Sequence, residues 1–271
     1  MMNQADKAHA FKALHDREKL FVIPNPWDGA SAKLLASQGF EALTTTSAGL
    51  AFVIGKPDNG VTREESLWNA KLIVDSVDLP VAADLENGFG HRPEDAAETI
   101  RAAAAIGLVG GSIEDATGDP ANPIYDFNLA VERVAAAAEA AHALSFPFAF
   151  VARAENFFHG RKDLDDTIRR LQAYEKAGAD VLFAPGLPGI DAIRTVVKSI
   201  GKPLNVVQTA GGIPLAELEA AGVRRVSTGG GLARVALTAL KKAGEEIQAT
   251  GTFGFADDIV TTAWLNDLMR R

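Results

Sequence analysis

Short apolar runs alternate with helix-forming segments along almost the whole chain. The first apolar run is Leu20–Pro24, and a segment with helical spacing follows from about Asp28 to Gln38, where Gly39 ends it. This alternation recurs until eight such pairs are complete. Apolar runs without a regular polar face are typical of parallel strands that are buried on both sides. The pattern therefore predicts an α/β fold with a parallel sheet.

Eight strands that are each followed by a helix can close into a barrel. The predicted strands are Leu20–Pro24, Ala42–Ser47, a strand beginning at Val81, Leu108–Glu114, Phe148–Ala154, Asp180–Ala184, Pro203–Gln208 and Arg225–Thr228. Their number and spacing fit a closed (β/α)8 TIM barrel. The alternative is an open doubly wound sheet, which would carry a glycine-rich turn after its first strand. This chain has Asn25-Pro26-Trp27-Asp28 at that place, which favours the barrel.

Nothing in the composition marks a domain boundary, so residues 1–271 are predicted to form a single (β/α)8-barrel domain with an N-terminal helix. Residues 48–61 are predicted to form a long loop, after which Thr62 and Glu65 cap a helix. Residues 251–271 follow the eighth unit as an extra helical tail. We expect this tail to pack on the barrel or on another subunit, because it is too apolar to lie free in water. Its apolar residues are Phe253, Phe255, Ile259, Val260, Trp264, Leu265 and Leu268.

The charge balance and composition exclude several classes of function. The chain has 27 Lys+Arg against 35 Asp+Glu, a net charge of −8, and no basic run that would bind nucleic acid or an anionic membrane. It has no cysteine, which excludes disulfides, zinc–thiolate sites and a cysteine nucleophile. No segment has the pattern of a signal peptide or a membrane span. We therefore expect a soluble cytoplasmic protein with a small-molecule partner.

The third predicted strand runs into two carboxylates, Asp84 and Glu86, which Gly88 and Gly90 follow. Residues two apart in a strand face the same side, so both acids are predicted to point together at the strand's end. Mg²⁺ or Mn²⁺ would relieve their repulsion, because these hard cations prefer oxygen ligands. The alternative is a solvated strand end that carries two surface acids.

Polar residues also lie at the ends of other predicted strands, where the active sites of barrel enzymes are found. Glu114 ends the fourth strand, Arg153 and Glu155 the fifth, and Asn205 lies in the seventh. Acids that converge from different strands favour a metal site. The planar guanidinium of Arg153 suits a substrate carboxylate or phosphonate, or an ion pair with Glu114 or Glu155.

Some loop residues are weaker candidates. Gly229-Gly230-Gly231 could bind phosphate after the eighth strand, although a tight turn explains these glycines more simply. His91 and His159 could transfer protons from βα loops, but a single loop histidine is more often only solvated. Tyr125 could act as an acid from the loop after the fourth strand.

Five motifs follow one another in the order of a known superfamily. They are Thr44-Thr45-Thr46-Ser47-Ala48-Gly49, Gly55-Lys56-Pro57-Asp58, Asp84-Leu85-Glu86-Asn87-Gly88-Phe89-Gly90, Ser112-Ile113-Glu114-Asp115 and Ala152-Arg153-Ala154-Glu155. From about Phe21 to the C-terminus, the chain resembles the isocitrate lyase / phosphoenolpyruvate mutase superfamily, in its small single-domain branch. The resemblance implies an Mg²⁺-dependent enzyme that makes or breaks C–C or C–P bonds beside an enolate, whose charge the metal stabilises.

The resemblance also implies roles for residues at the matching positions. Asp84, Glu86 and Glu114 match acids around Mg²⁺ (Mn²⁺ is the alternative), some of which reach the metal through water. The implied substrate-binding residues are Thr45, Thr46 and Ser47 through their backbone, with Arg153 and Asn205. The implied catalytic residues are Asp58 on a gating loop, Arg153, Thr45 and Ser47. The resemblance further implies a homodimer or homotetramer in which C-terminal helices are exchanged.

Two departures limit the reaction that the resemblance implies. Lyases of the superfamily carry Lys-Lys-Cys-Gly-His after the fourth strand, whereas residues 116–123 of this chain contain no Cys, Lys or His. Pro185-Gly186 stands where those lyases hold a glutamate. Three hypotheses remain open: an Mg²⁺-dependent lyase or decarboxylase of an oxaloacetate-like 2-oxo acid, C–P chemistry on phosphonopyruvate, and a non-catalytic paralogue that binds 2-oxo acids.

Overall fold

A barrel of eight parallel strands forms the centre of the computed structural model, which describes residues 2–208 and 210–270. The sheet order is β1-β8-β7-β6-β5-β4-β3-β2. The Thr44 N–H donates to the Pro24 carbonyl at 3.1 Å, which joins the two ends of the sheet and closes the barrel. The strands are β1 Phe21–Ile23, β2 Leu43–Thr44, β3 Val81–Asp84, β4 Gly110–Glu114, β5 Ala149–Arg153, β6 Val181–Phe183, β7 Leu204–Val207 and β8 Arg225–Ser227. The predicted (β/α)8 barrel is thus confirmed.

Helices surround the barrel, and every strand from β1 to β8 is followed by at least one of them. They are α1 Gln4–Asp16, α2 Gly29–Ser37, α3 Ser47–Val53, α4 Arg63–Ser76, α5 Pro93–Ala105, α6 Phe127–His142, α7 Leu164–Lys176, α8 Ile190–Ser199, α9 Leu215–Ala220, α10 Gly231–Thr250, a 3₁₀ helix Gly254–Asp258 and α11 Thr262–Arg270. The predicted capping box between Thr62 and Glu65 is present at the start of α4. Met1 and Arg271, the limits of the predicted domain and tail, lie outside the described residues, as does Thr209.

Helix α1 closes the N-terminal end of the barrel. Phe11 is fully buried there, in a cluster with Phe21, Ile23 and Ala149. Gly110 makes this close packing possible, because a Cβ atom at that position would lie 2.8 Å from the Phe11 ring. The closed lower end leaves the opposite end, where the strands have their carboxyl ends, as the open mouth.

The segment after β2 differs from the prediction in its local structure. The predicted strand Ala42–Ser47 is observed only at Leu43–Thr44, and the predicted loop 48–61 contains most of α3. Thr46 explains the early end of the strand, since its side chain accepts a hydrogen bond from the Gly49 N–H at 3.2 Å and caps α3.

The last long helix does not cover the barrel wall in the way the eightfold pattern predicts. Within the described chain, Ala233 is the one buried residue of α10, while Val235 and Leu240 are 67% and 69% exposed. The tail returns to the barrel at α11, where Leu268 is buried and the Lys33 ammonium donates to the Met269 carbonyl at 2.5 Å. Part of the tail thus packs on its own barrel and part stays exposed. None of the described helices has the length and apolarity needed to cross a membrane.

Candidate active site

A cavity of about 280 Å³ opens at the carboxyl ends of the strands. Its size is close to the lower end of the range for small-molecule sites, roughly 300–1,000 Å³. The charged and amide side chains that the sequence analysis singled out around it are those of Asp58, Asp84, Glu114, Arg153, Glu155 and Asn205. The predicted convergence of these strand ends is therefore observed.

Arg153 is the centre of the polar contacts in this cavity. Its Nη1 atom lies 2.8 Å from Asp84 Oδ1, and its Nη2 atom lies 3.0 Å from Glu114 Oε2. Glu155 Oε1 lies 2.8 Å from Nη2 and also accepts from Nε at 2.9 Å. One guanidinium therefore joins acids from three strands or strand ends. The ion pair that the sequence offered as the alternative role of Arg153 is present.

Burial shapes the protonation of this cluster. Burial alone would lower the pKa of Arg153, but Glu114, Glu155 and Asp84 together raise it above its ordinary value, so the guanidinium stays charged. Burial also raises the pKa of Glu114 well above its usual range, against the opposing effect of Arg153. When ionised, the three acids would carry more negative charge than one arginine can balance, so a bound cation would favour their ionised forms.

The β2 end holds Asp84 in place. Ser47 donates to Asp84 Oδ2 through both its backbone N–H, at 3.2 Å, and its hydroxyl, at 2.8 Å. The Thr45 hydroxyl accepts from the Asp84 N–H at 3.1 Å. Thr46 and Ser47 line the cavity, whereas Thr45 lies behind it. The Thr45 backbone N–H donates to the Ala82 carbonyl and thus belongs to the sheet. In this structure, Thr45 positions Asp84.

Glu86 lies outside the strand. Strand alternation therefore cannot explain where its side chain points, and that part of the prediction is wrong. β3 ends at Asp84, and Glu86 occupies a turn with φ +46°. Glu86 and Glu114 both line a groove that adjoins the cavity. The Glu86 Oε1 atom is buried and has no hydrogen-bond partner in the part of the chain that is described. Burial, followed by the charges of Asp84 and Asp58, raises the pKa of Glu86 to about 8.

The chemistry of this donor set fits a hard divalent cation. The three predicted ligands offer only carboxylate oxygens, and the buried Glu86 Oε1 atom has no hydrogen-bond partner among the described residues. Among residues 2–208 and 210–270, no three acidic or imidazole groups form a ready coordination cluster. Two of the three predicted ligands, Asp84 and Glu114, instead contact Arg153.

The remaining candidates occupy different surroundings. Asp58 lies at the exposed rim of the cavity, where partial burial of its carboxylate and the nearby Asp84 raise its pKa. His159 also lines the cavity. Tyr125 and His91 contact each other at 2.7 Å beside the adjoining groove. Gly229 donates its N–H to Asn25 Oδ1 at 2.9 Å, as the tight-turn interpretation of the glycines expects.

A buried network behind the cavity escaped the sequence analysis. Asp115 Oδ2 accepts from the Tyr174 hydroxyl at 2.5 Å and from Arg170 at 3.0 Å, while Asp115 Oδ1 accepts from the Glu155 N–H at 2.8 Å. The network thus fixes the backbone of one Arg153 partner. The buried Arg170 occurs three residues after Thr167 on the inner face of α7, so helical spacing was the signal that could have identified it.

Arg225 was also missed. It is the first residue of β8, lines the cavity and is only 4% exposed. The signal for it was a charged residue at the beginning of an otherwise buried parallel strand.

Comparisons with known proteins agree with the fold and the motifs. A family model described as phosphoenolpyruvate phosphomutase matches residues 11–248. A crystal structure from Burkholderia cenocepacia J2315, provisionally assigned as a lyase/mutase, is 53% identical with a TM-score of 0.96, over 99% of this chain and 97% of that one. The 2,3-dimethylmalate lyase of Eubacterium barkeri is 28% identical over 99% of this chain and 94% of its own.

A further similar structure is that of phosphonopyruvate hydrolase in complex with oxalate and Mg²⁺. It is 25% identical with a TM-score of 0.88, over 99% of this chain and 95% of that one. The relatives therefore include carbon–carbon lyases and enzymes of C–P chemistry. The chain belongs to the phosphoenolpyruvate phosphomutase family, within the isocitrate lyase/phosphoenolpyruvate mutase superfamily of lyases and mutases.

Proposed function

We propose that this protein is an Mg²⁺-dependent lyase or decarboxylase of a small 2-oxo acid of the oxaloacetate type. The observation that carries the proposal is the excess of carboxylates over cations around Arg153, together with the unpartnered oxygen of Glu86. Such an excess is unfavourable unless a cation joins it. The Mg²⁺ and oxalate bound to the similar phosphonopyruvate hydrolase support the same combination of ion and ligand.

Asp84, Glu86 and Glu114 are the residues that would hold the ion. When bound, Mg²⁺ supplies positive charge beside the oxygen on which enolate charge develops, and Mn²⁺ has the same ligand preference. Ser47 keeps the Asp84 carboxylate in one orientation through two hydrogen bonds, and the Thr45 hydroxyl holds the Asp84 backbone N–H. This arrangement reduces the reorganisation that binding requires.

Arg153 would bind the substrate carboxylate. A guanidinium has five N–H donors, and four contacts to Asp84, Glu114 and Glu155 engage most of them. A bidentate contact with substrate therefore requires one acid to release Arg153. We propose that the ion and the substrate enter together, because a cation gives the released acid a new partner.

In decarboxylation of oxaloacetate, the C3–C4 bond breaks and C4 leaves as CO₂. The bonding electron pair moves toward the C2 carbonyl, which becomes an enolate, and a proton added at C3 gives pyruvate. Asp58 is the candidate donor of this proton, because it lines the cavity and partial burial raises the pKa of its carboxyl group. Asn205, which also lines the cavity, would bind a polar group of the substrate.

The test measures products by NMR after addition of oxaloacetate or phosphonopyruvate, with Mg²⁺, with Mn²⁺ and with a chelator. Because free Mg²⁺ itself promotes loss of CO₂ from oxaloacetate, the Asp84→Ala variant at the same Mg²⁺ concentration is the matched control. We expect oxaloacetate to be converted much faster by the wild type with metal than by the wild type with chelator or by the variant with metal. Phosphate release from phosphonopyruvate alone would favour C–P chemistry instead. Binding of both acids without turnover would indicate a non-catalytic paralogue.

A further inference from the structure

A buried arginine forms the floor of the cavity, at the end opposite the acidic mouth. Arg225 lines the cavity, and its guanidinium carbon lies 5.9 Å from the centre of the Phe11 ring on α1. Since α1 closes the lower end of the barrel, this contact places the guanidinium between the closing helix and the cavity.

This guanidinium has no counter-ion in the described chain. Its Nε and Nη1 atoms are shielded from solvent and have no hydrogen-bond partner, and no charge of a described carboxylate acts on it. Burial lowers the pKa of Arg225 to about 9, which still leaves the group charged at neutral pH. A buried charge without a partner is strongly unfavourable, so its retention requires an explanation.

Packing against α1 does not supply that explanation. The nearby side chain of His15 is kept neutral, because burial and then the charge of Arg225 lower its pKa to about 3. The His15 Nε2 atom is also buried without a partner in the described residues. A methionine would fill the same space between the barrel and Phe11 without these costs.

Two polar side chains lie next to Arg225 on the inner surface. Asn205 is paired with Arg225 in the register of β7 and β8, and Ser227 follows two residues later on the same face of β8. The Asn205 amide donates to Ser227 Oγ at 3.0 Å. The Ser227 hydroxyl hydrogen has no acceptor in the described contacts, so it can be donated toward a ligand.

The cavity is therefore polarised along its length. Asp58, Asp84, Glu114 and Glu155 surround Arg153 at the mouth, whereas Arg225 is the charged side chain at the floor. The acids at the mouth repel an anion unless a bound cation neutralises them. The charge of Arg225 attracts an anion to the floor whether or not that cation is bound. A ligand with two anionic ends matches this distribution.

We propose that Arg225 and Ser227 bind a second anionic group of the substrate and thereby select 2-oxo acids with a distal carboxylate or phosphonate. The inference rests on the proposed function, in which the metal and Arg153 bind the 2-oxo acid end of the substrate at the mouth. Arg225 is on this account a specificity-determining residue, and Asn205 orients the Ser227 hydroxyl.

The test compares ligands that differ mainly at the distal end. 2-Oxobutyrate and oxaloacetate have equal chain length, but one ends in methyl and the other in carboxylate; 3-phosphonopyruvate carries the phosphonate. Binding is measured by thermal shift with MgCl₂, before turnover becomes significant. The variants are Arg225→Met and Arg225→Lys, with Arg224→Met as the matched control, because Arg224 is the adjacent arginine and does not line the cavity.

We expect the wild type and Arg224→Met to bind one of the distal anions at least roughly tenfold more tightly than 2-oxobutyrate. Whether oxaloacetate or 3-phosphonopyruvate binds more tightly identifies the distal group. Arg225→Met should lose this preference but keep its affinity for 2-oxobutyrate, and its ligand-free melting temperature should not fall. Arg225→Lys should retain part of the preference, because it keeps the charge without the planar fork.

Two results would overturn the inference, and they are distinguishable. An Arg225→Met variant that folds and keeps the full preference for distal anions would show that Arg225 is structural. This result leaves the proposed function intact. If the wild type binds none of the three acids, with or without Mg²⁺, the proposed function fails and the inference fails with it.

Discussion

Arg153 Nη1 lies 2.8 Å from Asp84 Oδ1, so the arginine expected to bind substrate already contacts an acid expected to bind metal. The two assignments are compatible only if the acid exchanges partners when the site fills. In the ligand-free protein, Arg153 then has a second role, since it keeps three carboxylates together that would otherwise repel one another.

Replacing Arg153 by lysine tests this double role. An ammonium group keeps the charge, but as a compact group it cannot contact three carboxylates in the plane of a guanidinium. We expect KM for the best 2-oxo acid to rise at least about tenfold, with the melting temperature lowered. Arg161→Lys, in the loop after β5, is the control because that arginine is exposed. Kinetics and melting like those of the wild type would refute the role of Arg153.

Glu86→Ala tests the metal assignment. The variant removes the carboxylate whose Oε1 atom is buried without a described partner, so we expect calorimetry to detect no Mg²⁺ binding while circular dichroism shows a retained fold. Glu94→Ala, at an exposed position in the first turn of α5, should bind Mg²⁺ like the wild type. Unchanged Mg²⁺ affinity in Glu86→Ala would remove Glu86 from the ligand set.

The sequence predicted the position of a residue well where that position depends only on the strand that carries it. Glu114 and Arg153 were predicted to meet because both end parallel strands of one barrel, and they lie 3.0 Å apart. Glu86 was placed near Asp84 by an argument that holds only within a strand, yet the chain turns at Glu86 with φ +46°. The turn directly follows β3, so Glu86 stays close to the mouth and lines the groove beside the cavity.

What the sequence could not predict depends on partners that are distant along the chain. Arg225 is unusual because it has no counter-ion among residues 2–208 and 210–270, and a lack of partners cannot be recognised before the packing is known. The contact between Asp115 and Tyr174 joins residues 59 positions apart, which no local pattern encodes. The early end of β2 did have a local signal, because Thr46 is a residue type that caps helices. The prediction followed the apolar pattern and extended the strand through it.

Asp115→Asn tests the buried network behind the cavity. Its amide nitrogen would face two donors, Arg170 and Tyr174, and the charge of Arg170 would lose one of its acid partners. We expect the free energy of unfolding in urea to fall by about 3 kcal/mol. Asp165→Asn, an exposed acid in the first turn of α7, should cost no more than about 0.5 kcal/mol. Equal losses in the two variants would show that the network adds no stability.

The apolar tail provides the last prediction, which concerns assembly. Phe253 and Ile259 are each 62% exposed, and Val235 and Leu240 of α10 are also exposed. Burying one such side chain stabilises by roughly 1.5–3 kcal/mol. An assembly in which a neighbouring subunit covers several of them would therefore be strongly stabilised. We therefore expect light scattering to give the mass of a homodimer or homotetramer for the full chain, and a smaller mass for a chain ending at Ala249. A truncated protein that keeps both its mass and its melting temperature would show that the tail is not the assembly element.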